Sequence, residues 1–396
     1  MRILHINGTT KGGVFNGIKY LHSDLLNNEI ESFLFLPEKI DQKNIIYPGS
    51  KFYNFIKMFK NKISKIIKKF FLDAYQTSTL GWFYSYEINK VVKKIEPDII
   101  HIHWIGNELM SIKQILGFKK KVVFTLHDMW MILPHQHYSL QKKNYKESFI
   151  SKKISNYLLN EKKKIDNTDV TFTVTSEWMK NQFLKKNLYP NSKVFTIPYG
   201  INFSNWEPLD KFQAKNNLGI NSKKRLILFT AFGPNNPRKG LNILLECLKS
   251  VNFDFELVIS SDVLPKNNEL KDFIFLKDLN SSEKRRILYS ACDILVAPSI
   301  EEAFGLVALE SLSCNLPSVA FENTGFEETI KHKKNGYLAK YLNKDDFAEG
   351  IKWVNNMLNS DENFFINSRK EVELKFNNNK ILQDHIKLYE EIQKKN

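Results

Sequence analysis

Cysteine is scarce in this sequence, three residues in 396, and Cys247, Cys292 and Cys314 stand far apart among apolar neighbours. No two have metal-ligand or redox spacing, which argues against a disulfide framework and a cysteine-based zinc site and leaves buried, reduced thiols. Long hydrophobic runs are missing too: none approaches the ~20 apolar residues of a membrane-spanning helix. The opening MRILHING is too short in its apolar part for a signal peptide, so a cytoplasmic protein is expected. Neither zinc-finger spacing nor an RNA-binding aromatic signature accompanies the excess of base over acid. The net charge of +15, from 58 Lys+Arg against 43 Asp+Glu, is therefore not read as nucleic-acid binding. It suits acidic lipid or phosphorylated substrates.

What the chain does have is one plan used twice. A strand RILHIN, a glycine loop GTTKGGVFNG and an amphipathic helix IKYLHSDLL open the first half. Residues 225–248 repeat the order as RLILFTAF, GPNNPRKG and LNILLECL. Strand, glycine loop, helix is the first unit of a doubly wound α/β domain. Neither loop fits G-x-G-x-x-G, which removes the dinucleotide fingerprint. Further β-rich runs follow in each half, DIIHIHW and KVVFTLHD in the first, FELVIS and DILVAPS in the second, several of them continuously apolar as parallel strands covered on both faces are. At this length two domains are expected, both α/β and Rossmann-like, over residues 1–200 and 201–376. The boundary lies where Pro and Gly cluster in IPYGINFSNWEP. Residues 377–396 read as a docking helix with Ile381, Leu382, Ile386, Tyr389 and Ile392 on one stripe. Packing back onto the N-terminal domain is one option for it.

SIEEAFGLVALESL, residues 299–312, mixes core residues with three glutamates. Buried unpaired carboxylates are costly, so these face water or a ligand. The preceding strand ends at Pro298, and a helix is expected from about Phe304, leaving Glu302 in the loop at its mouth. Ligands of open α/β sheets gather beyond such strand ends. Amides of Phe304, Gly305 and Leu306 at a helix start suit an anion or a sugar hydroxyl. Glu310, roughly 12 Å further along at ~1.5 Å per residue, reaches a second part of the same ligand. A nucleotide-sugar has that shape. Lys239, ahead of Gly240 at another helix start, suits its diphosphate; the plain alternative is a solvated lysine.

PSIEEAFGLVALESLSCNLPSVAF resembles the Glu-x7-Glu signature of family 4 of the retaining glycosyltransferases, which have the GT-B fold, two Rossmann-like domains facing a central cleft. The resemblance implies that Glu302 holds the transferred sugar and Glu310 the ribose. GGVFNGIKYL resembles the family's N-terminal glycine loop, placing Gly12 and Gly13 near the bond being broken, and RKGLNILLECL resembles its diphosphate-binding loop. VTSEWMKNQF, VFTIPYGIN and TGFEETIKHKKNGYLA resemble further family segments. HIHWIGNELMSIKQI with VVFTLHDMW is similar to bacterial transferases that build O-antigen and exopolysaccharide. The implied reaction is retaining, metal-independent transfer from a nucleotide-sugar to a saccharide or polyprenyl-diphosphate-linked acceptor, with His127 beside the donor sugar and Glu302 orienting it. No metal and no cofactor beyond the donor are implied. Two departures stand out. Gly233 occupies the place of a frequent arginine, which leaves the diphosphate to Lys239 and Arg238, and Asn202 replaces an aspartate at the end of the linker motif.

Five of nine histidines, His101, His103, His127, His135 and His137, fall within a short span, and His-x-His occurs twice. Alternate strand residues share a face without any metal, and no cysteine or carboxylate completes a set, so no metal site is expected. Residues 51–72 hold seven lysines and no acid. Phe52, Phe55, Ile56, Phe59, Ile63, Ile66, Ile67 and Phe70 recur at helical spacing. Either the helix lies on an anionic membrane, placing the protein peripherally on the inner face of the cell membrane, or the stripe packs on the sheet and leaves the lysines in water. Two other functions remain open at this point: a GT-B sugar-nucleotide epimerase, and a non-catalytic scaffold that binds nucleotide-sugar.

Overall fold

The structure, a computed structural model, describes residues 1–72, 78–140, 148–267, 269–270, 272–279 and 281–394, without the side chains of residues 51 and 52. The chain divides into two compact units, Met1–Gly200 with Asn378–Asn396, and Ile201–Asn377.

Each unit is built on a parallel sheet. The first contains β1 (Arg2–Ile6), β2 (Glu31–Phe35), β3 (Ile45–Ile46), β4 (Ile99–Ile102), β5 (Lys121–Leu126), β6 (Val170–Val174) and β7 (Val194–Thr196). Their order is β3-β2-β1-β4-β5-β6-β7. The second contains β8 (Arg225–Ala231), β9 (Phe255–Ser261), β10 (Phe273–Lys277), β11 (Ile294–Ala297), β12 (Ser318–Phe321) and β13 (Gly336–Ala339), ordered β10-β9-β8-β11-β12-β13. Strands β4, β11 and β12 are buried from end to end, which is why their sequences are continuously apolar or carry only satisfied polar groups. The strand order reverses beside β1 in the first sheet and beside β8 in the second. Loops leaving neighbouring strand ends there diverge to opposite faces and open a crevice.

Helix α1 (Gly12–Asn27) begins at Gly12 rather than after the whole glycine loop, because Phe15 and Ile18 already bury its inner face together with Leu25. The C-terminal helix Asn378–Lys394 belongs to the first unit. Its Ile381, Leu382, Leu388, Tyr389 and Ile392 share one core with Ile3, Leu25, Ile99 and Val123. Where the chain leaves the first unit and later returns, Ile201 bridges to Asn377, and Gly200 lies against Asn378.

Helix α2 (Lys51–Ile67), capped by the Ser50 hydroxyl on the Tyr53 amide at 3.1 Å, packs only part of its apolar stripe: Ile56, Ile63 and Ile67 are half-buried. Phe55, Met58 and Phe59 are 61, 62 and 56% exposed, and Phe70 just beyond is 69% exposed. Lysines point inward instead: Lys60 Nζ donates to the Tyr84 carbonyl at 2.5 Å, and Lys68 pairs with Glu108 at 3.1 Å. The buried Glu108 carboxylate also accepts from Ser64 and from the Leu80 and Gly81 amides, which fixes this face of the helix. Phe52 lies outside the described side chains.

Candidate functional site

In the second unit the loops after β8 and β11 meet at the point where strand order reverses. Asn236 caps the short turn Pro237–Lys239 through the Arg238 amide at 3.0 Å. The turn ends at Gly240, whose φ of +75° starts the helix Leu241–Leu248. A Cβ on Gly240 would lie 2.0 Å from the Pro298 carbonyl oxygen, so only glycine lets this loop sit against the end of β11. The Ile300 amide donates to the Arg238 carbonyl at 2.8 Å and ties the two loops together.

This contact brings Arg238, Lys239 and Glu302 into one group. Lys239 Nζ is 2.7 Å and an Arg238 guanidinium nitrogen 3.3 Å from the same Glu302 oxygen, and Arg238 also donates to the Glu301 carbonyl at 2.5 Å. Burial alone would raise the Glu302 carboxyl, but the two cations outweigh it and hold it down at about 2. Burial and the adjacent Arg238 lower the Lys239 ammonium, while Glu302 opposes them. The result is two fixed cations and one fixed anion at a strand end, where a diphosphate and a sugar hydroxyl can each find a partner.

The following helix, Leu306–Ser313, begins slightly later than the sequence suggests. Gly305 sits at φ +86° as its first cap and receives the Ala308 amide at 2.9 Å. The amides of Leu306 and Val307 precede that ladder. Phe304 is a core residue, 5.6 Å ring to ring from Phe376, so only its backbone borders the site. Glu310 is 8% exposed and held by a set the sequence did not signal. Arg285 grips it in a two-point bond, Nε and Nη2 each at 3.1 Å, and the Tyr289 hydroxyl donates at 3.0 Å. Burial and this carboxylate push Tyr289 up, which keeps it a donor. Arg285 in turn lies 5.4 Å from the Trp206 ring. Gly233, at φ +67°, donates its amide to Asp262 at 2.7 Å, and Asn202 caps the turn Phe203–Trp206 through the Ser204 amide at 3.1 Å.

In the first unit Gly12 and Gly13 open α1 on the loop after β1, exposed at the carboxyl edge of the sheet. His127 follows β5 at the same edge, two strands away. Its Nδ1 bonds the Tyr199 hydroxyl and its Nε2 faces His103 Nδ1 at 3.1 Å. Burial lowers His127 to about 3, so it is a neutral imidazole at ordinary pH. Asp128 caps the next turn on the Trp130 amide at 2.9 Å and accepts from His137 at 2.6 Å. His135 and His137 are satisfied by Ser78 and Thr79. The first-unit histidines thus do form a set, but with His5 of β1, which lies opposite His101 in register. Sequence spacing could not reveal a partner from so distant a strand.

Comparison with known proteins identifies the family. Residues 12–205 match the family model described as Glycosyltransferase Family 4, and residues 210–371 that of Glycosyl transferases group 1. An uncharacterized glycosyltransferase of Methanocaldococcus jannaschii is 27% identical over 50% of this chain and 54% of its own length. The chain thus spans about half of that relative. An uncharacterized 41.2 kDa protein in the cps region of Klebsiella pneumoniae is 25% identical over 100% of this chain and 99% of its own. The O-antigen chain mannosyltransferase RfbU of Salmonella typhimurium is 26% identical over 62% and 67%. Among solved structures, sucrose-phosphate synthase of Thermosynechococcus elongatus superposes with a TM-score of 0.73 at 17% identity, covering 99% of this chain and 98% of that one. HepE of Anabaena, solved with UDP-glucose, gives 0.66 at 16% identity over 99% and 100%. These two likenesses speak to the fold alone. With two Rossmann-like parallel sheets and both family models matched along most of its length, the chain belongs to the family 4 (group 1) glycosyltransferases of GT-B fold.

Proposed function

We propose that this glycosyltransferase acts in bacterial surface polysaccharide assembly, moving a sugar from a nucleotide-sugar to a lipid-linked saccharide with retention of anomeric configuration and without a metal. The observation that carries the reading is the Arg238–Lys239–Glu302 group at the β8/β11 strand ends. Lys239 and Arg238, with the amides that open the helix Leu306–Ser313, stabilise charge that grows on the departing diphosphate. Glu302 orients the sugar hydroxyls rather than forming a covalent bond. Glu310, fixed by Arg285 and Tyr289, offers carboxylate oxygens to the ribose. His127, neutral, contributes a hydrogen bond rather than a charge. Gly12 and Gly13 give the backbone a close approach to the donor. The O-antigen chain mannosyltransferase among the relatives, and the location of another in a cps region, support the pathway assignment.

A thermal-shift panel of UDP-, GDP-, ADP- and CMP-sugars without metal tests the donor site, because a ligand that binds only the folded state raises Tm by mass action. One nucleotide class is expected to raise the wild-type Tm, and to shift Glu310→Gln much less relative to that variant's own baseline. No shift from any donor would overturn the reading.

Among the described residues no helix is long and apolar enough to cross a membrane. We assign membrane contact instead to the outer face of α2 and the turn after it, where exposed Phe55, Met58, Phe59 and Phe70 are interleaved with exposed Lys62, Lys65 and Lys69. Such a face brings the enzyme to a lipid-linked acceptor. The protein is expected to pellet with anionic vesicles and much less with neutral ones. Phe55→Ser with Phe59→Ser should remove the difference with little loss of Tm, since both side chains are more than half exposed. Equal pelleting on both vesicle types would sink the assignment.

A further inference from the structure

The first unit holds a line of imidazoles that sugar transfer, as proposed, uses only at one end. His5 Nδ1 faces His103 Nε2 at 3.0 Å, His103 Nδ1 faces His127 Nε2 at 3.1 Å, and His127 Nδ1 meets the Tyr199 hydroxyl. The far end, His5 Nε2, is buried with no hydrogen-bond partner among the described residues. The rings follow one another as a stack, 5.3 Å between His5 and His103 and 5.3 Å between His103 and His127. Ring nitrogens of His5, His101 and His103 do lie within 4.8 Å of one another, a spacing that could suit an ion. Yet both nitrogens of His101 are held, by Tyr389 at 2.7 Å and Thr125 at 2.6 Å, and both of His103 by His5 and His127. Hydrogen bonding accounts for the cluster.

A neutral imidazole has one N–H and one lone pair. Burial keeps all three rings neutral, pushing His5 and His103 well below the ordinary histidine value. Each contact in the line then needs one donor and one acceptor, and choosing the tautomer of one ring dictates the next. If His5 carries its proton on Nδ1, so must His103 and His127; if on Nε2, all three follow. Mixed tautomers would set two N–H groups or two lone pairs against each other at about 3 Å. The unpartnered His5 Nε2 decides between the two, because a buried N–H without an acceptor is rarer than an unused lone pair.

We propose that His5, His103, His127 and Tyr199 form one relay of single polarity, all three imidazoles protonated on Nδ1, and that His103 and Tyr199 are positioning residues fixing the tautomer His127 presents. In this polarity His103 donates to His127 Nε2, and His127 donates to the Tyr199 oxygen. Tyr199 is kept in place by α1, since its ring lies where a Cβ on Gly17 would stand, 2.7 Å away. A cavity of about 40 Å³ borders His103, His127 and Tyr199. The importance of the tautomer for sugar transfer rests on the role proposed for His127; the relay itself does not.

The test is ¹⁵N NMR of histidine-labelled wild-type protein, which reads each ring's tautomer directly. All three rings are expected as Nδ1–H, and a mixed set would overturn the relay. In the variants, His103→Asn retains a donor near the Nδ1 position and should keep both the His127 tautomer and kcat within a few-fold. His103→Leu should leave His127 in a tautomer mixture and lower kcat about 10–100-fold with little change in KM. An unchanged His127 spectrum in His103→Leu would end the positioning assignment. If no donor supports transfer at all, the sugar-transfer reading fails, and the wild-type spectrum still judges the relay.

Discussion

Lys239→Ala is expected to lower kcat by about 10²–10³-fold, the loss typical when one preorganised donor to a developing anion is removed. The reason is positional. Lys239 is held at the end of a capped turn, ahead of a helix start, with its ammonium 2.7 Å from Glu302. Gly233 supplies no charge, so in the proposed site Lys239 and Arg238 are the cations left to meet the diphosphate. The fold should tolerate the change, because Glu302 keeps Arg238 at 3.3 Å and its bond to Arg238 spares it from becoming an unpaired buried charge. Donor KM should rise far less than kcat falls, since the diphosphate charge that Lys239 meets grows in the transition state. Steady-state kinetics on wild type, Lys239→Ala and Glu310→Gln check this: the glutamine variant should show the opposite split, weak donor binding with turnover less affected. Identical kinetics for all three proteins would remove both residues from the donor site.

Gly240→Ala carries the largest expected effect on stability. Two penalties add there. A left-handed backbone costs a residue with a Cβ roughly 1–2 kcal/mol, and the new methyl would lie 2.0 Å from the Pro298 carbonyl oxygen, a backbone atom that cannot swing aside. Moving the loop instead separates Arg238 and Lys239 from Glu302. A loss of about 3–5 kcal/mol is expected, or a Tm drop of roughly 6–20 °C in the second unit's calorimetric transition. Gly12→Ala is the control. Gly12 has φ +84°, but an added Cβ meets no described atom within 4 Å, so only the conformational part should appear. Equal drops for the two variants would mean that the contact with Pro298 is not what demands glycine.

The central strands and the two glycine loops were legible because parallel strands buried on both faces write themselves as unbroken apolar runs. The short strands β3 and β7 were not, since two or three residues carry no period. Glu302 and Lys239 could be picked out singly from the local logic of strand end and helix start. Their meeting could be anticipated only from the resemblance, as nothing in local spacing links residues 63 positions apart. Arg285 and Tyr289 gave no signal, because a polar helix face reads the same whether it meets water or a carboxylate. On α2 the periodicity found the stripe and not its direction: seven lysines suggested a wet face, yet Lys60 and Lys68 turn inward because Glu108 and a backbone carbonyl await them. For the histidines, spacing within β4 was visible, and the pairing with β1 that brings His5 alongside was not.

The helix Asn378–Lys394 has a consequence for how the protein comes into being. Ile3, Leu25 and Ile99 are made early, yet the residues that cover them, Ile381, Leu382, Leu388 and Tyr389, are made only after the whole second unit. The whole second unit is translated in between, roughly 10–35 s at 5–20 residues per second. The second unit is contiguous and carries its own buried core, so it is expected to fold during that interval. The first must wait with an open apolar seam, so the newborn chain completes its later-made unit first and is exposed, until those covering residues arrive, to chaperones and to self-association.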